Sequence, residues 1–514
     1  MAEKLSDLAS EVLDSIVAQI DDVKSLRSLA QTSRRLQHIT EPYIYRHAFV
    51  RTGHECYNLL RAFNGRSERA LMLRSIDARF QSAKDDSMGN LTHVVQAALR
   101  LNDLTIESPY CNRGRWRRAD GWKTTMESLL SPLWEASYLA PEPASGTSRP
   151  LQALRKLVLH LNGEPSEFWN LQHRPYSAIF AHPTLEDVHI SSANILDEGL
   201  SDIPDTVRIP LKRLTIDECN ITIKAFERLM MLPKALEYLY LGESQFCEDE
   251  EPHVESMCHE PKEFFAALAH QKSSLQTFIY EPCDEWFRIS HFTIPNFPVL
   301  ADFKALRELR LNGRQHWLEH GLKEPTCLPP NLTSLHLPAG TIFDDEILRS
   351  LHDKLDDPEA LPPWLEKALP LYAHLKKLDM TWDANHHPTS ELRELVWTER
   401  TVTRVHKRGI RMRVFQFSPV AEHQRPILYG EDEPVRFMLC SPGSGYVGMP
   451  RNLRPWEGAA DSDSEWEDSQ SDWDDDVLDA LDDIDDYNDD DDDDDGSSFG
   501  GEDEYGELAT QFHG

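Results

Sequence analysis

The sequence predicts an α/β fold in which short parallel strands and helices stack into a solenoid, preceded by a small helical domain and followed by an acidic tail. Three observations support this prediction. A short apolar phrase recurs along the middle of the 514-residue chain, apolar residues in the first fifty positions have helical spacing, and acidic residues concentrate at the C-terminal end. A chain of this length is long enough for one large core or for several modules.

The N-terminal segment predicts three short helices. Its apolar residues recur at positions 12, 13, 16 and 20, then at 26 and 29, and then at 36 and 39. These intervals of three and four residues place them on one face of each helix. The segment closes with Tyr43-Ile44-Tyr45-Arg46.

These residues resemble an F-box, the adaptor-binding module of SCF (Skp–cullin–F-box) ubiquitin ligases. The family pattern is Leu-Pro-x-Glu-apolar-Leu, then an apolar pair, Leu-x-x-Leu and a Ser/Cys-Arg-x-apolar close. Ala9 stands where the family prefers proline, which presets the first turn of a helix, so we expect that turn to be less firmly set but the helix to form. The resemblance implies that the matching residues bind a Skp-type adaptor: Leu8, Glu11, Val12, Leu13, Ile16, Leu26, Leu29, Ser33, Arg34 and Leu36.

The resemblance makes residues 1–47 an F-box-like helical domain, similar to those of fungal-type F-box proteins that continue into repeats. It implies a non-catalytic substrate receptor, with ubiquitin transfer carried out by other subunits of a cullin complex. An alternative is that the three amphipathic helices only cap the next domain, with their apolar faces packed on it.

The middle of the chain repeats the phrase apolar-x-x-apolar-x-apolar. The closest spacings between phrases are 28, 26, 25 and 26 residues. Leucine-rich repeats show this phrase with a period of about 20 to 29 residues, so residues 48–417 resemble a degenerate leucine-rich-repeat solenoid, or horseshoe. The phrases are Leu73/Ile76/Ala78, Leu101/Leu104/Ile106, Leu154/Leu157/Leu159, Leu185/Val188/Ile190, Leu211/Leu214/Ile216, Leu236/Leu239/Leu241, Leu275/Phe278/Tyr280, Leu306/Leu309/Leu311, Leu332/Leu335/Leu337 and Leu375/Leu378/Met380.

Each phrase predicts a short strand, because its last two apolar residues alternate as side chains of a strand do. Cys219 stands at the offset where the repeat family places a side chain that satisfies backbone groups in the following turn. Helical spacing between phrases is clear at residues 223–230 and 264–268, and a last helix and strand are predicted at residues 392–405 and 409–417. A β-sandwich is disfavoured, because its strands would recur about every 8 to 12 residues.

Exposed residues between the core leucines are candidates for binding a protein substrate. Several are basic or aromatic, which would suit an acidic or phosphorylated ligand, although an ordinary solvated strand face is an equal alternative. The candidates are Lys212, Arg213, Tyr238, Tyr240, Arg307 and Arg310.

Two segments before the tail are expected to lack repeats. Residues 107–150 form an insertion with loop composition, and residues 418–456 form an irregular, proline-spaced connector. Within the connector, residues 436–440 could form a strand before a Gly-x-Gly-x-x-Gly match at residues 443–448. No βαβ unit surrounds that match, so nucleotide binding is not expected.

Residues 457–514 are predicted to be a disordered acidic tail, because charge repulsion and scarce apolar surface oppose folding. The net charge of the chain is -35, and 25 acidic residues lie between Asp461 and Glu507. Four serines followed by acidic residues are candidate phosphorylation sites for an acid-directed kinase: Ser462, Ser464, Ser469 and Ser471. The tail could bind basic proteins such as histones or serve only to increase solubility, while direct nucleic-acid binding is disfavoured by its charge.

The sequence therefore favours a substrate-recognition subunit of an SCF-type ubiquitin ligase, which binds a Skp-type adaptor through the F-box and an unknown protein substrate through the repeats. The runner-up is an acidic leucine-rich-repeat protein that binds or chaperones histones or other basic proteins through its tail. An enzyme with an unrecognised site is a third, minor alternative. No cofactor, metal site or membrane segment is expected, and scattered cysteines with no secretory signal favour the cytoplasm or nucleus.

Overall fold

The structure is a computed structural model. It describes residues 8–80, 86–108, 128, 130–141, 148–160, 169–170, 177–243, 257, 261–281, 299–311, 325–338, 361–382, 392–416, 437–442 and 445–446. The acidic tail and its four candidate serines lie outside these residues. No described helix is long and apolar enough to cross a membrane.

Helices occupy the N-terminus and the connections between strands. α1 to α3 are the three predicted N-terminal helices. α8, α9 and α11 correspond to the helices predicted at residues 223–230, 264–268 and 392–405. The helices are α1 (Ser10–Val17), α2 (Val23–Thr32), α3 (Arg34–Ile44), α4 (Gly53–Gly65), α5 (Glu68–Met72), α6 (Asn90–Ala97), α7 (Asp197–Ser201), α8 (Ile223–Met231), α9 (Pro261–Leu268), α10 (Pro363–Leu371) and α11 (Leu392–Lys407).

The strands form one long sheet. β1 to β14, apart from β5 and β7, pair in chain order and run parallel. The strands are β1 (His47–Val50), β2 (Ser75–Arg79), β3 (Asp103–Glu107), β4 (Lys156–His160), β5 (Trp169–Asn170), β6 (Asp187–Ser191), β7 (Ala193–Ile195), β8 (Arg213–Ile221), β9 (Tyr238–Glu243), β10 (Thr277–Glu281), β11 (Glu308–Leu311), β12 (Ser334–Pro338), β13 (Lys377–Trp382), β14 (Arg411–Gln416), β15 (Phe437–Ser441) and β16 (Gly445–Tyr446).

The strand register confirms the repeated phrase. All ten phrases supply a strand, and the second apolar residue of each phrase lies directly beside its counterpart in the next strand. The third apolar residues are buried in the same way. The second apolar residues of the phrases form one buried row, which continues to Met412 on β14. This row consists of Ile76, Leu104, Leu157, Val188, Leu214, Leu239, Phe278, Leu309, Leu335, Leu378 and Met412.

Cys219 has the turn role that the repeat pattern predicts. Glu218 before it adopts φ of 48°, which breaks the register between β8 and β9 and lets β8 continue into a second short sheet with β7 and β5. The fully buried Cys219 thiol lies 3.3 Å from the carbonyl oxygen of Asp217 and 3.7 Å from that of Ile190. The thiol thus serves as a weak donor to backbone groups inside the bend.

Two predictions of irregular structure were wrong in part. Within the insertion at 107–150, residues 130–136 are helical and bury Leu130, Leu133 and Ala136. Within the connector at 418–456, the possible strand at residues 436–440 is confirmed as β15, but the rest of the prediction fails, because β15 pairs antiparallel with β14 and β16 pairs antiparallel with β15. Leu439 and Cys440 are buried by this pairing, so the sheet continues beyond the predicted end at residue 417.

Candidate functional sites

Helix α1 divides its apolar residues between two faces. Ala9 precedes the helix with φ of -60°, the value that a proline would impose, and no side chain caps the helix start. Leu13 and Val17 are buried, whereas Val12 is 46% exposed and Ile16 is 40% exposed. Because residues one position apart lie about 100° apart around a helix, these pairs form two separate stripes.

Helices α2 and α3 begin with side-chain caps. The Asp22 carboxylate accepts hydrogen bonds from the backbone amides of Lys24 (3.2 Å) and Ser25 (2.8 Å). A hydrogen bond from the Ser25 hydroxyl, and then these two backbone bonds, lower the pKa of Asp22. The Ser33 hydroxyl accepts a hydrogen bond from the Leu36 amide at 3.2 Å. Ser33, which the sequence predicted to bind the adaptor, is therefore the N-cap of α3 and stabilises that helix.

Polar contacts between α3 and α1 were not predicted from the sequence. The Arg35 guanidinium donates to the Leu8 carbonyl oxygen at 2.7 Å and lies 3.1 Å from the Ser10 hydroxyl. The Tyr43 hydroxyl donates to the Asp14 carboxylate at 3.0 Å. Burial, and then this hydrogen bond, raise the pKa of Tyr43. Both contacts fix α1 on α3 and leave Val12 and Ile16 on the surface.

The ten residues of the F-box resemblance therefore fall into three groups. A buried residue stabilises the fold, whereas an exposed one is available to a partner. Leu13, Leu26 and Leu36 are buried, Leu8 and Leu29 are intermediate, and Glu11, Val12, Ile16, Ser33 and Arg34 are exposed.

A buried carboxylate joins these helices to the first repeat. Glu41 on α3 is 3% exposed and forms ion pairs with Arg66 at the end of α4 and with Arg69 on α5, the latter at 2.7 Å. Burial alone would raise the pKa of Glu41, but hydrogen bonds from Arg69 and Gln37 and the positive charge of both arginines lower it overall. Arg69 also donates to the Ala62 carbonyl oxygen, so one arginine links α3, α4 and α5.

The second candidate site is the strand face, defined by the side chains of the parallel sheet that point away from its leucine core. It brings together four of the six predicted substrate residues. Arg213 on β8 lies beside Tyr238 on β9, with the guanidinium carbon 4.0 Å from the ring centre. Tyr240 follows on β9, and Arg310 lies two strands away on β11.

Acidic side chains are interleaved with this group. The Tyr240 hydroxyl lies 2.8 Å from the Glu281 carboxylate and 3.2 Å from that of Asp217. Arg310 lies 3.2 Å from Glu281, and burial lowers the pKa of this arginine. The charges are mixed, so the geometry does not favour the acidic ligand that the basic residues alone suggested. It does hold a Tyr- and Arg-rich surface in fixed positions, a composition typical of protein interfaces.

Lys212 and Arg307 lie apart from this group, at the amino ends of the strands. The Lys212 ammonium is 2.7 Å from the Glu186 carboxylate, which also pairs with Arg155. Arg307 lines an open cavity of about 330 Å³ together with Glu237 and Gln276. Neither side chain adds to the strand-face group.

Three buried histidines and the half-buried His189 are a feature that the repeat pattern did not indicate. On the strand face, burial lowers the pKa of His160 to about 3 and of His189 to about 4. Their rings meet edge to face at 4.8 Å, and the His160 Nδ1 lies 3.0 Å from the Ser191 hydroxyl. Burial likewise lowers the pKa of His182 to about 4 and of His336 to about 3.

These histidines predict acid-sensitive stability. Their folded-state pKa values lie below the value of about 6.5 in an unfolded chain, so the unfolded state binds more protons between these limits. The free energy of unfolding should therefore be independent of these histidines above about pH 6.5 and should decrease as the pH falls towards 4. Denaturant unfolding measures the free energy of unfolding at pH 7 and at pH 5. The loss between these two pH values should be about 1 to 2 kcal/mol smaller for His160→Gln than for the unchanged chain. Equal pH dependence in both proteins would contradict the neutral, buried state of His160.

No group of three or more His, Cys, Asp or Glu side chains among the described residues is placed to hold a metal ion. The four described cysteines, Cys56, Cys219, Cys327 and Cys440, are buried free thiols.

Comparisons with known proteins identify no family. No family model matches the chain, and no curated protein matches its sequence. Among solved structures, the chain is similar to the leucine-rich repeat-containing protein LegL7 from Legionella pneumophila, with 13% sequence identity and a TM-score of 0.30. The similarity covers 72% of this chain and 90% of that protein.

Proposed function

We propose that this chain is a non-catalytic substrate receptor of an SCF-type ubiquitin ligase, in which α1 to α3 act as an F-box and bind a Skp-type adaptor. The observation that carries the proposal is the division of the N-terminal apolar residues. Leu13, Leu26 and Leu36 hold the helices together, while Val12 and Ile16 remain exposed. These two exposed positions belong to the family pattern, so they match the residues an adaptor would cover.

The exposed apolar residues have an energetic reason to be covered. Val12, Ile16 and Val23 are each at least 40% exposed, and the capping alternative would require them to pack on the next domain. Fully burying a side chain of this size contributes about 1.5 to 3 kcal/mol. An adaptor that covers these three side chains would gain part of that burial free energy, which is enough to anchor an interface. Glu11 and Arg34 would form its polar rim.

The parallel sheet supplies the second half of the proposed function. We infer that it is a leucine-rich-repeat solenoid and that the strand face binds a protein substrate. The Arg213–Tyr238 stack and the anchored Tyr240 and Arg310 support this role, because side chains already held in place lose little entropy on binding. The receptor would then bring its substrate close to catalytic subunits, and proximity would be its contribution.

The test is capture of a Skp-type adaptor by the purified full-length chain. Val12→Asp combined with Ile16→Asp should abolish capture, because a charge would face the apolar surface of the adaptor. Both positions are exposed, so circular dichroism and thermal unfolding should remain unchanged. Leu371→Asp is the matched control, since Leu371 is 48% exposed on α10, and it should bind the adaptor normally.

Two results would refute the proposal. If the folded, unchanged chain fails to capture the adaptor, α1 to α3 are not an F-box and only cap the next domain. Undiminished capture by the folded double variant would show that the adaptor binds elsewhere.

An alternative function is supported by the tail composition alone. The 25 acidic residues between Asp461 and Glu507, with no Lys or Arg after Arg454, suit a binder or chaperone of basic proteins. Histone binding that weakens with salt and is lost on deletion of residues 457–514 would favour this function. It would be independent of Val12 and Ile16.

A further inference from the structure

The amino ends of the first parallel strands are joined by a continuous ladder of backbone hydrogen bonds. The amide of Arg74, just before β2, donates to the carbonyl oxygen of Arg46, just before β1, at 2.9 Å. In the same way, the amide of Asn102 donates to the carbonyl oxygen of Arg74 at 2.8 Å, and the amide of Arg155 donates to that of Asn102 at 2.7 Å. These four residues are therefore neighbours at one edge of the sheet, with their backbones about 4.8 Å apart from strand to strand.

Arginines are concentrated at this edge. Three of the four ladder residues are arginines, and Arg100 lies two residues before Asn102 in the sequence. Burial, and then the charges of Arg100 and Arg46, lower the pKa of Arg74, so the three guanidinium groups are near enough to repel one another. We refer to Arg46, Arg74 and Arg100 as the arginine cluster.

No carboxylate balances the arginine cluster in the part of the chain that the structure describes, since none of its three side chains forms an ion pair there. Asp103 follows Asn102 in the sequence, but alternation along the strand places it on the strand face. The first acidic residue of the ladder is Glu186, next to Arg155, and it already pairs with Arg155 and Lys212. The positive charge of the cluster is therefore left uncompensated.

Folding explains only the position of Arg74. Its guanidinium donates to the carbonyl oxygens of Leu71 and Leu73 at 2.7 Å and 3.1 Å, which satisfies backbone groups at the end of α5. Arg46 and Arg100 are exposed, and their side chains form no hydrogen bond among the described residues. Like charges on neighbouring strands are destabilising, so the cluster has a cost that a negatively charged partner would remove.

We propose that the arginine cluster is a docking surface for an acidic segment of a partner protein. The chain as a whole has a net charge of -35, so a local positive surface is where such a segment would be attracted while the rest of the chain repels it. A protein segment fits better than a nucleic acid. None of the four ladder residues is aromatic, whereas proteins that bind single strands stack the bases on aromatic side chains. The inference goes beyond the proposed function, because it uses neither the Val12 and Ile16 surface nor the strand face.

The experiment measures the fluorescence anisotropy of a labelled octaglutamate peptide as the purified full-length chain is added. The unchanged chain should bind the peptide at low salt and lose affinity as the salt concentration rises. Arg46→Glu combined with Arg100→Glu should weaken binding at low salt about tenfold or more, and Arg46→Gln combined with Arg100→Gln about threefold. Arg74 is kept in both variants because of its contacts with α5, and circular dichroism should show that both variants are folded.

Lys224→Glu combined with Lys262→Glu is the matched control. Both lysines are exposed second residues of helices, in α8 and α9, and their replacement changes the net charge by the same amount. This pair should bind octaglutamate within about twofold of the unchanged chain.

Three results would overturn the inference. Absence of binding by the unchanged chain at low salt would show that the cluster attracts no acidic segment. An equal loss in the control pair would show that only the net charge matters. Tighter binding of an octauridylate RNA than of octaglutamate, lost in the Arg46 and Arg100 variants, would assign the cluster to nucleic acid. Adaptor capture tests the proposed function separately and should be the same in all these variants.

Discussion

Replacing Phe264 with alanine should lower the free energy of unfolding by about 3 to 5 kcal/mol. Phe264 on α9 is 1% exposed and lies between helix and sheet. Its ring stacks on the rings of Phe226 on α8 and Tyr280 on β10, with ring centres 5.2 Å and 5.1 Å apart. The ring centre of Phe278 lies 6.3 Å away. The substitution removes apolar surface and leaves a cavity whose aromatic walls cannot close on alanine.

Urea unfolding followed by circular dichroism measures this loss. Phe264→Leu should cost less, about 1 to 1.5 kcal/mol, because leucine refills part of the volume. Leu371→Ala, at a position 48% exposed, should change stability by no more than about 0.5 kcal/mol. A Phe264→Ala variant as stable as Leu371→Ala would show that the aromatic cluster does not hold α8, α9 and β10 together.

The sequence was sufficient to predict α9 but not this cluster. Phe264, Phe265 and Leu268 have helical spacing, and the phrase ending in Tyr280 predicted a strand. Both predictions depend only on local periodicity, and both are confirmed. Which rings meet depends on the superposition of neighbouring repeats, and positions 38 residues apart must be brought together by the sheet register.

Pairing that is not periodic was missed for the same reason. β15 follows no repeat phrase, and its place is set by antiparallel pairing with β14 across residues 417–436. The helix at 130–136 likewise buries Leu130 and Leu133 against a core that a local window of sequence does not reveal. Composition indicated loops in both segments, apart from a possible strand at residues 436–440. Neither the helix nor the pairing of that strand with β14 could be predicted, because both depend on tertiary contacts.

The candidate docking site was predictable as a set of residues but not by role. The family pattern weights Leu13 and Ile16 alike, although one is buried and the other exposed. That distinction requires the position of α3, which Tyr43 and Arg35 fix through contacts with α1. A Leu13 variant would therefore report on folding, and only Val12 and Ile16 variants report on docking. Glu41, the residue that joins the helices to the first repeat, matches no pattern.

Replacing Glu41 with glutamine should destabilise the protein by about 3 kcal/mol. The Glu41 side chain is 3% exposed, forms ion pairs with Arg66 and Arg69, and accepts a hydrogen bond from the Gln37 amide. Loss of its charge leaves the positive charges of Arg66 and Arg69 uncompensated at a site with little access to water. The expected cost is at the lower end for buried ion pairs, because the arginine side chains are 32% and 20% exposed and keep some hydration.

Glu68→Gln is the matched control for this prediction. Glu68 also pairs with Arg66, at 3.3 Å, but it is 64% exposed, so its loss should cost no more than about 0.5 kcal/mol. Hydrogen exchange should then increase in α3 and α5 of the Glu41 variant and remain unchanged in β8 to β10, because the network contacts only the N-terminal helices. Equal effects of the two substitutions would mean that Glu41 is solvated, and that the orientation of α1 to α3 on the first repeat is held by apolar contacts alone.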